Sequence, residues 1–348
     1  WLEQDARLRT DFNIPSGFHN EDMPRIKYKS CMKEYYQRVG IPVARYHMVD
    51  NYEGCLNFIR EVGYPVVTKP DNGVGASHTF KISSDEELCN FFANKWDDTV
   101  YIMEEFINAE INSYDAIIDS HGNPIFEAGN VTPMSIMDIV NNADNALFYI
   151  VKDLADDTRH LGRETAKSFG VRSRFVHFEF FRLLSDHEGL GKKGDLMALE
   201  VNMRPSGGFT PDMINFAYNI NCYQYYADMM IYDKLRHKTK TSPAFCVYVG
   251  RWKEHPYAHT HQEILEHWDK YLKVAEELPE VLAHGMGNYM YLARFESKEQ
   301  MDTFCQYALE IKEPEVLPEI PVKKTTRVRK TAGAKRSSKI SQKGSENS

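Results

Sequence analysis

The order of apolar and polar positions divides this chain into short elements with clear stops. Lys29 to Val39 reads as a helix that ends at Gly40, and Ile41-Pro42-Val43 follows, where the proline prevents continuation. A second helix near Glu53 to Val62 stops at Gly63. Pro65-Val-Val-Thr-Lys69 is a short apolar strand, Pro70 to Ser77 a loop of small residues, and His78 to Ile82 another strand. Ser83-Ser84-Asp85-Glu86-Glu87 supplies a capping box for the helix after it. Together these predict helices laid on an antiparallel sheet over residues 26–103.

A second unit, residues 104–232, opens on the strand Val100 to Ile107 and continues through Ser113 to Asp119. His121-Gly122-Asn123 turns the chain back into Pro124 to Ala128, and Asp156 to Phe169 reads as an amphipathic helix ended by Gly170. Residues 174–184 and 196–202 are aromatic and β-branched enough to be two strands, with the polar run Ser185 to Asp195 as their hairpin loop. Pro211 to Tyr232 closes the unit as one helix, with Pro211 suited to its first turn. Strands at Phe245 to Val249 and Gly287 to Arg294, with helices at His261 to Tyr271 and Ser297 to Leu309, predict a small C-terminal α+β cap over residues 240–316.

Composition narrows the class. With 348 residues, 42% of them apolar and 26% charged, the chain has enough apolar material for two or three packed units. No apolar run approaches the roughly 18 residues that a membrane span needs. The six cysteines (Cys31, Cys55, Cys89, Cys222, Cys246, Cys305) are scattered with no Cys-x-x-Cys pair, as expected of reduced thiols in a cytoplasmic protein. Net charge is −8, yet nine Lys and Arg fall after Pro321 against the single acid Glu346. That stretch, within residues 317–348, is poor in large apolar side chains and is expected to be disordered. It can touch nucleic acid or another polyanion, but a solvated tail accounts for the same composition, and it assigns no function.

The chemistry concentrates around Glu200-Val-Asn202-Met-Arg204. Alternation along a strand points Glu200 and Asn202 the same way, and Glu179 on the neighbouring strand can join them. Two carboxylates held together repel unless a cation sits between them, and hard oxygen ligands of this kind suit Mg²⁺ shared with substrate phosphates. An ordinary hairpin with solvated acids is the competing account. Lys69, at a strand end before a loop holding Gly73, Gly75, Ala76 and Ser77, suits the covering of a polyphosphate, although a plain turn reads the same way. It is not a Walker loop, because no Gly-Lys-Ser/Thr follows and no helix starts there. Lys29 alone would pass for a surface lysine.

The order of Lys29 before Gly40-Ile-Pro, Lys69 before a Gly-rich loop, Glu104-Glu-Phe-Ile107, Glu179 and Glu200-Val-Asn-Met-Arg204 resembles the ATP-grasp fold, as in biotin carboxylase, the large subunit of carbamoyl phosphate synthetase and D-alanine–D-alanine ligase. The resemblance spans roughly residues 10 to 232. It implies two α+β subdomains that sandwich ATP, here with the C-terminal cap and the disordered basic tail added. It further implies that Lys29 and Lys69 hold phosphates, and that the loop from Asp71 to Ser77, with Gly73, Gly75 and Ser77, covers them. By the same resemblance the backbone of Glu105 and Ile107, next to Glu104, meets adenine, and Glu110 takes the ribose. Glu179, Glu200 and Asn202 would bind Mg²⁺ or Mn²⁺, and Arg204 would stabilise an acyl phosphate.

The activity so implied is a carboxylate–amine ligase that uses ATP and small-molecule carboxylate and amine substrates, with no membrane partner and with a homodimer as an allowed assembly. A carboxylase or carbamoyl-forming enzyme that uses bicarbonate, or a non-catalytic ATP-binding regulator, is the alternative. Two features depart from the family. Only 28 residues precede Lys29, so residues 1–25 read as the end of a truncated preceding domain, and the loop Ser185 to Gly194 is longer than in biotin carboxylase. Arg251, His255 and Tyr257 are candidates for the acyl side.

Overall fold

The computed structural model describes residues 1–73, 78–95, 98–133, 145–236 and 240–312. The expected basic tail therefore lies outside the described residues, as do Gly75 and Ser77 of the small-residue loop.

Two antiparallel sheets organise the chain into two lobes. In the smaller, the order is β1 (Tyr46–Met48), β4 (Tyr101–Glu105), β2 (Val66–Pro70) and β3 (Phe80–Ile82). Two helices cover it, α4 (Tyr52–Val62) and α5 (Asp85–Asn94). Each starts where a side chain satisfies an orphan N–H. The Asn51 side chain accepts from Gly54 N, and Ser84 Oγ accepts from Glu87 N while the Glu87 carboxylate reaches back to Ser83 N at 2.6 Å. Their apolar faces bury Cys55, Phe58, Ile59, Leu88 and Phe91 against Val66, Ile82, Tyr101 and Met103.

The larger sheet has nine strands: β10 (Leu196–Asn202), β9 (Arg174–Leu183), β5 (Ala109–Ile118), β7 (Asn130–Thr132), β8 (Leu147–Ile150), β11 (Phe245–Arg251), β13 (Tyr289–Phe295) and β12 (Leu272–Glu277) in order, with β6 (Pro124–Ala128) paired on β5. Alternation sorts β9. Val176, Phe178 and Phe180 are buried in the core beneath α6 (Asp156–Ser168), while His177, Glu179 and Phe181 line a cavity on the other side. Each such buried aromatic contributes up to about 3 kcal/mol.

Helix α3 (Lys29–Gln37) explains why the first lysine sits where it does. Its buried residues are Lys29, Met32, Lys33 and Tyr36, one stripe at helical spacing. Tyr28 gives no side-chain cap, and Asp71 from the loop after β2 supplies one instead, accepting from Ser30 N at 2.7 Å and Ser30 Oγ at 2.8 Å. Met32 and Tyr36 join Ala6 of α1 (Leu2–Asp11), Phe18, and Met23 and Ile26 of α2 (Met23–Lys27) in the core of the large sheet.

The expected divisions shift accordingly. β4 pairs with β1 and β2, so the strand expected to open the second unit completes the first sheet. Helix α3, expected with the small unit, packs on the large sheet, because its apolar stripe matches that core. The expected C-terminal cap is not separate: β11 pairs with β8 over Cys246–Val249, so β11, β13 and β12 extend the large sheet. Helices α9 (His261–Trp268) and α11 (Lys298–Leu309) cover that end, around Ile264, Trp268, Met301 and Phe304, and α10 (Glu280–Met286) lies between β12 and β13. The single helix expected over Pro211 to Tyr232 is two, α7 (Thr210–Tyr218) and α8 (Cys222–Tyr232), because Asn219 turns left-handed (φ 53°).

Candidate functional site

A cavity of about 510 Å³ lies between the two sheets. β2 and β4 bring Lys69, Glu104 and Glu105 to it, α3 brings Lys29, and β9 and β10 bring His177, Glu179, Glu200 and Asn202. The turn before α7 adds Arg204, Ser206 and Gly207. Apolar walls come from Val67, Phe106, Ile107, Ile111, Phe181 and Leu199. Residues far apart in sequence therefore meet in one space.

The register of the acidic hairpin sets its chemistry. A bulge between Ala198 and Glu200 makes Glu200 the direct partner of Glu179, and Asn202 the partner of His177. His177 is pinned from both sides, Nδ1 at 2.8 Å from Asp115 Oδ1 and Nε2 at 3.0 Å from Glu179 Oε1. Asp115, fully buried, also accepts from the Ser113 hydroxyl. Burial disfavours the imidazolium, but Asp115 and Glu179 outweigh it and hold the His177 pKa at about 10. Burial also opposes ionisation of Glu179, yet His177, Arg204 and Lys69 bring its pKa down. Glu200 goes the other way. Burial raises its pKa, Lys29 counters, and neighbouring Glu179 raises it further. Lys29 Nζ stands 3.4 Å from Glu200 and donates to Gly73 O at 2.8 Å.

The opposite wall is built on Glu104. Lys33 Nζ lies 2.8 Å from Oε1 and Lys69 Nζ 2.6 Å from Oε2. Burial works against the carboxylate, and the two ammonium groups override it to hold its pKa at about 2. Beside it, Glu105 turns to Arg45, whose Nη2 and Nε lie 2.6 and 2.9 Å from Oε2. His187 of the long hairpin loop approaches the same oxygen at 3.6 Å, and Leu190 of that loop packs with Ala44, Ile107, Leu183 and Met197. Among the described residues neither the N–H nor the C=O of buried Ile107 makes a hydrogen bond, so both stay available to an edge-on heterocycle.

Lys29, Lys69, Glu104, Glu105, Ile107, Glu179, Glu200, Asn202 and Arg204 thus line one cavity. Gly73 reaches it through Lys29. Glu110 does not: Ala109 and Ile111 line the cavity, so alternation turns Glu110 to the opposite face, where its side chain accepts from Asn112 Nδ2 at 3.0 Å. Arg251, His255 and Tyr257 also stay outside, with the Arg251 guanidinium 3.8 Å over the Tyr257 ring. Two residues were missed. Lys33 is one turn after Lys29 on the same face, and His177 is two before Glu179 on the same side, so both were within reach of simple periodicity.

The carboxylates fit a divalent cation. Glu179 and Glu200 are adjacent and buried, and the cations now beside them are protein groups, His177 and Lys29. Among the described residues the group of three His, Cys, Asp or Glu side chains with ligand atoms mutually within 4.8 Å is His47, Asp50 and Cys55, none of which lines the cavity. Among the described residues no helix is long and apolar enough to cross a membrane.

Comparison with known proteins gives the same architecture. No family model matches the chain. It is 24% identical to an L-arginine-specific L-amino acid ligase of Bacillus subtilis over 65% of this chain and 54% of that protein. The chain spans about half the length of the curated relatives it matches. An L-amino acid ligase from Bacillus licheniformis superposes with a TM-score of 0.63 at 16% identity, over 86% of this chain and 74% of that one. The biotin carboxylase domain of the Hydrogenobacter thermophilus 2-oxoglutarate carboxylase, in complex with MgADP, ADP and bicarbonate, gives 0.60 at 15%, over 84% and 68%. Identities this low show the fold.

Proposed function

We propose that this chain, which has the ATP-grasp fold, uses ATP to phosphorylate a carboxyl group, organic carboxylate or bicarbonate, and passes the activated carbonyl to an amine. The observation that supports this most is the pairing of Lys29 and Lys69 with Glu179, Glu200, Asn202 and Arg204 around one cavity between the sheets. Such a reaction needs alignment and charge neutralisation more than acid–base chemistry.

A carboxylate oxygen attacks the γ-phosphorus, the bond to the β-γ bridging oxygen breaks, and ADP leaves. The amine then attacks the acyl carbon and phosphate departs. Lys29 and Lys69 hold the phosphates, each leaving a carboxylate to do so. Glu179, Glu200 and Asn202 would hold Mg²⁺ or Mn²⁺, which when bound neutralises phosphate charge. His177 keeps Glu179 ionised and aimed. Arg204, whose Nη1 donates to its neighbour Pro205 O at 3.0 Å, would turn to the acyl phosphate. Ile107 offers its backbone to adenine, and apolar Val67, Phe181 and Leu199 enclose the ring.

The amine-ligase relatives favour an organic acid as acceptor, and the carboxylase with bound bicarbonate favours bicarbonate. ADP release is to be measured with amino-acid panels and with bicarbonate, each with hydroxylamine present. Hydroxamate from an organic acid selects the ligase, whereas ADP formation that needs bicarbonate alone selects the carboxylase. Tight ATP binding without turnover on any acceptor would sink both and leave a nucleotide-binding regulator.

A further inference from the structure

We infer that Lys33 is a positioning residue that frees Lys69 for the nucleotide by taking over the charge of Glu104. The inference rests on the ATP reading above and adds a residue to it. Glu104 is buried between two ammonium groups, each on its own oxygen. The two lysines are not equivalent. Lys33 is held in place, because it also donates to Ala44 O at 3.3 Å, lies 5.2 Å from the centre of the Tyr46 ring, and does not line the cavity. Lys69 lines the cavity and has Glu104 as its only side-chain ion partner among the described residues.

When Lys69 swings to a phosphate, it abandons one oxygen of a buried carboxylate. A buried carboxylate stripped of its partner is strongly unfavourable, so Lys69 can leave only if another cation remains. Lys33 is that cation. It sits on α3, which packs on the large sheet, whereas Glu104 and Lys69 belong to the small one, so the same contact fixes Glu104 across the cleft. Without Lys33, Glu104 and Lys69 form a closed pair and the phosphates must compete for the lysine.

This predicts an unusual sign. Lys33→Met should weaken Mg-ATP binding to the chain roughly ten- to a hundredfold, judged from the cost of breaking a buried ion pair. Glu104→Gln placed on top of it should recover most of that loss, because the trap is gone. Lys33→Arg should bind within about threefold of the unaltered chain, an arginine being able to hold the carboxylate as well. Lys69→Met supplies the reference for complete loss of the phosphate contact. Equilibrium binding of Mg-ATP by calorimetry, with circular dichroism as a check on folding, measures all four. If Lys33→Met does not fold, the Lys33→Met/Glu104→Gln protein still decides: affinity near that of the unaltered chain supports the inference, and affinity near that of Lys69→Met overturns it. Equal binding by Lys33→Met and the unaltered chain, with Lys69→Met impaired, overturns the Lys33 role alone. No ATP binding by the unaltered chain removes the ATP reading and this inference together.

Discussion

The two walls of the cavity use the same kinds of charge and treat them oppositely. On the small-lobe wall one carboxylate, Glu104, meets two lysines, and its pKa is pulled down to about 2 against the cost of burial. On the hairpin wall two carboxylates stand side by side, one lowered through His177 and the other raised by burial. The first wall has a cation to spare, and that cation, Lys69, faces the cavity. The second holds two adjacent carboxylates matched by His177 and Lys29, and Glu200 loses its partner when Lys29 turns to a phosphate. A polyanion carrying a divalent metal would suit both walls at once, the anion taking the spare ammonium and the metal the paired carboxylates, which is the physical content of the ATP proposal.

The largest effect should come from spoiling the hairpin wall. Glu200→Gln removes one of the two adjacent carboxylates while keeping its shape, and is expected to reduce turnover by roughly a hundredfold or more, with raised Mg²⁺ concentration recovering part of it. Steady-state rates across a Mg²⁺ series would read this. A Glu200→Gln protein with unaltered rate and metal dependence would remove the asymmetry between the walls.

The over-supplied wall predicts a pH dependence instead. Glu104 has a folded-state pKa of about 2, below its ordinary 4.5, so it contributes stability that is fully present above pH 4.5 and is lost as pH falls through about 2. The full contribution is roughly 3 kcal/mol. Denaturant unfolding between pH 6 and 2 should therefore lose part of its acid sensitivity in Glu104→Gln. An identical acid profile in the two proteins would mean that the lysines do not hold the carboxylate as the geometry indicates.

How much of this contrast could be read from the sequence follows from the range of the interactions. The convergence of Glu179, Glu200 and Asn202 on one cavity was legible because strand alternation and a hairpin are local. Lys29 and Lys69 emerged from their order along the chain. The partnership of Glu104 with Lys33 and Lys69 was not legible, since it joins an α3 side chain to two strands of another sheet. For the same reason residues 240–316 looked like a separate cap: β11 finds its partner β8 only in space, about a hundred residues earlier. Glu110 failed on a local rule that was available, the alternation that turns it away between Ala109 and Ile111.

The smallest effect tests the support behind the hairpin wall, and its value lies in its sign. Gly162 sits inside α6, where helix propensity alone says that alanine should stabilise by about 1 kcal/mol. A Cβ at that position, however, would lie 2.1 Å from Tyr114 Cγ and 2.4–2.5 Å from both Cδ atoms. Tyr114 cannot easily move: it is fully buried on β5, its hydroxyl donates to Glu127 Oε1 at 2.7 Å, and its ring stacks near Phe178. Gly162→Ala must therefore push α6 away from the sheet and is expected to destabilise by roughly 1–3 kcal/mol. Ser113 and Asp115, which flank Tyr114 on β5 and point to the cavity side, steady His177, so the displacement should raise the Mg²⁺ requirement. Unfolding curves and Mg²⁺ titrations of this one variant would measure both. A gain in stability would show that Tyr114 yields, and that the hairpin wall rests on a softer base than its burial implies.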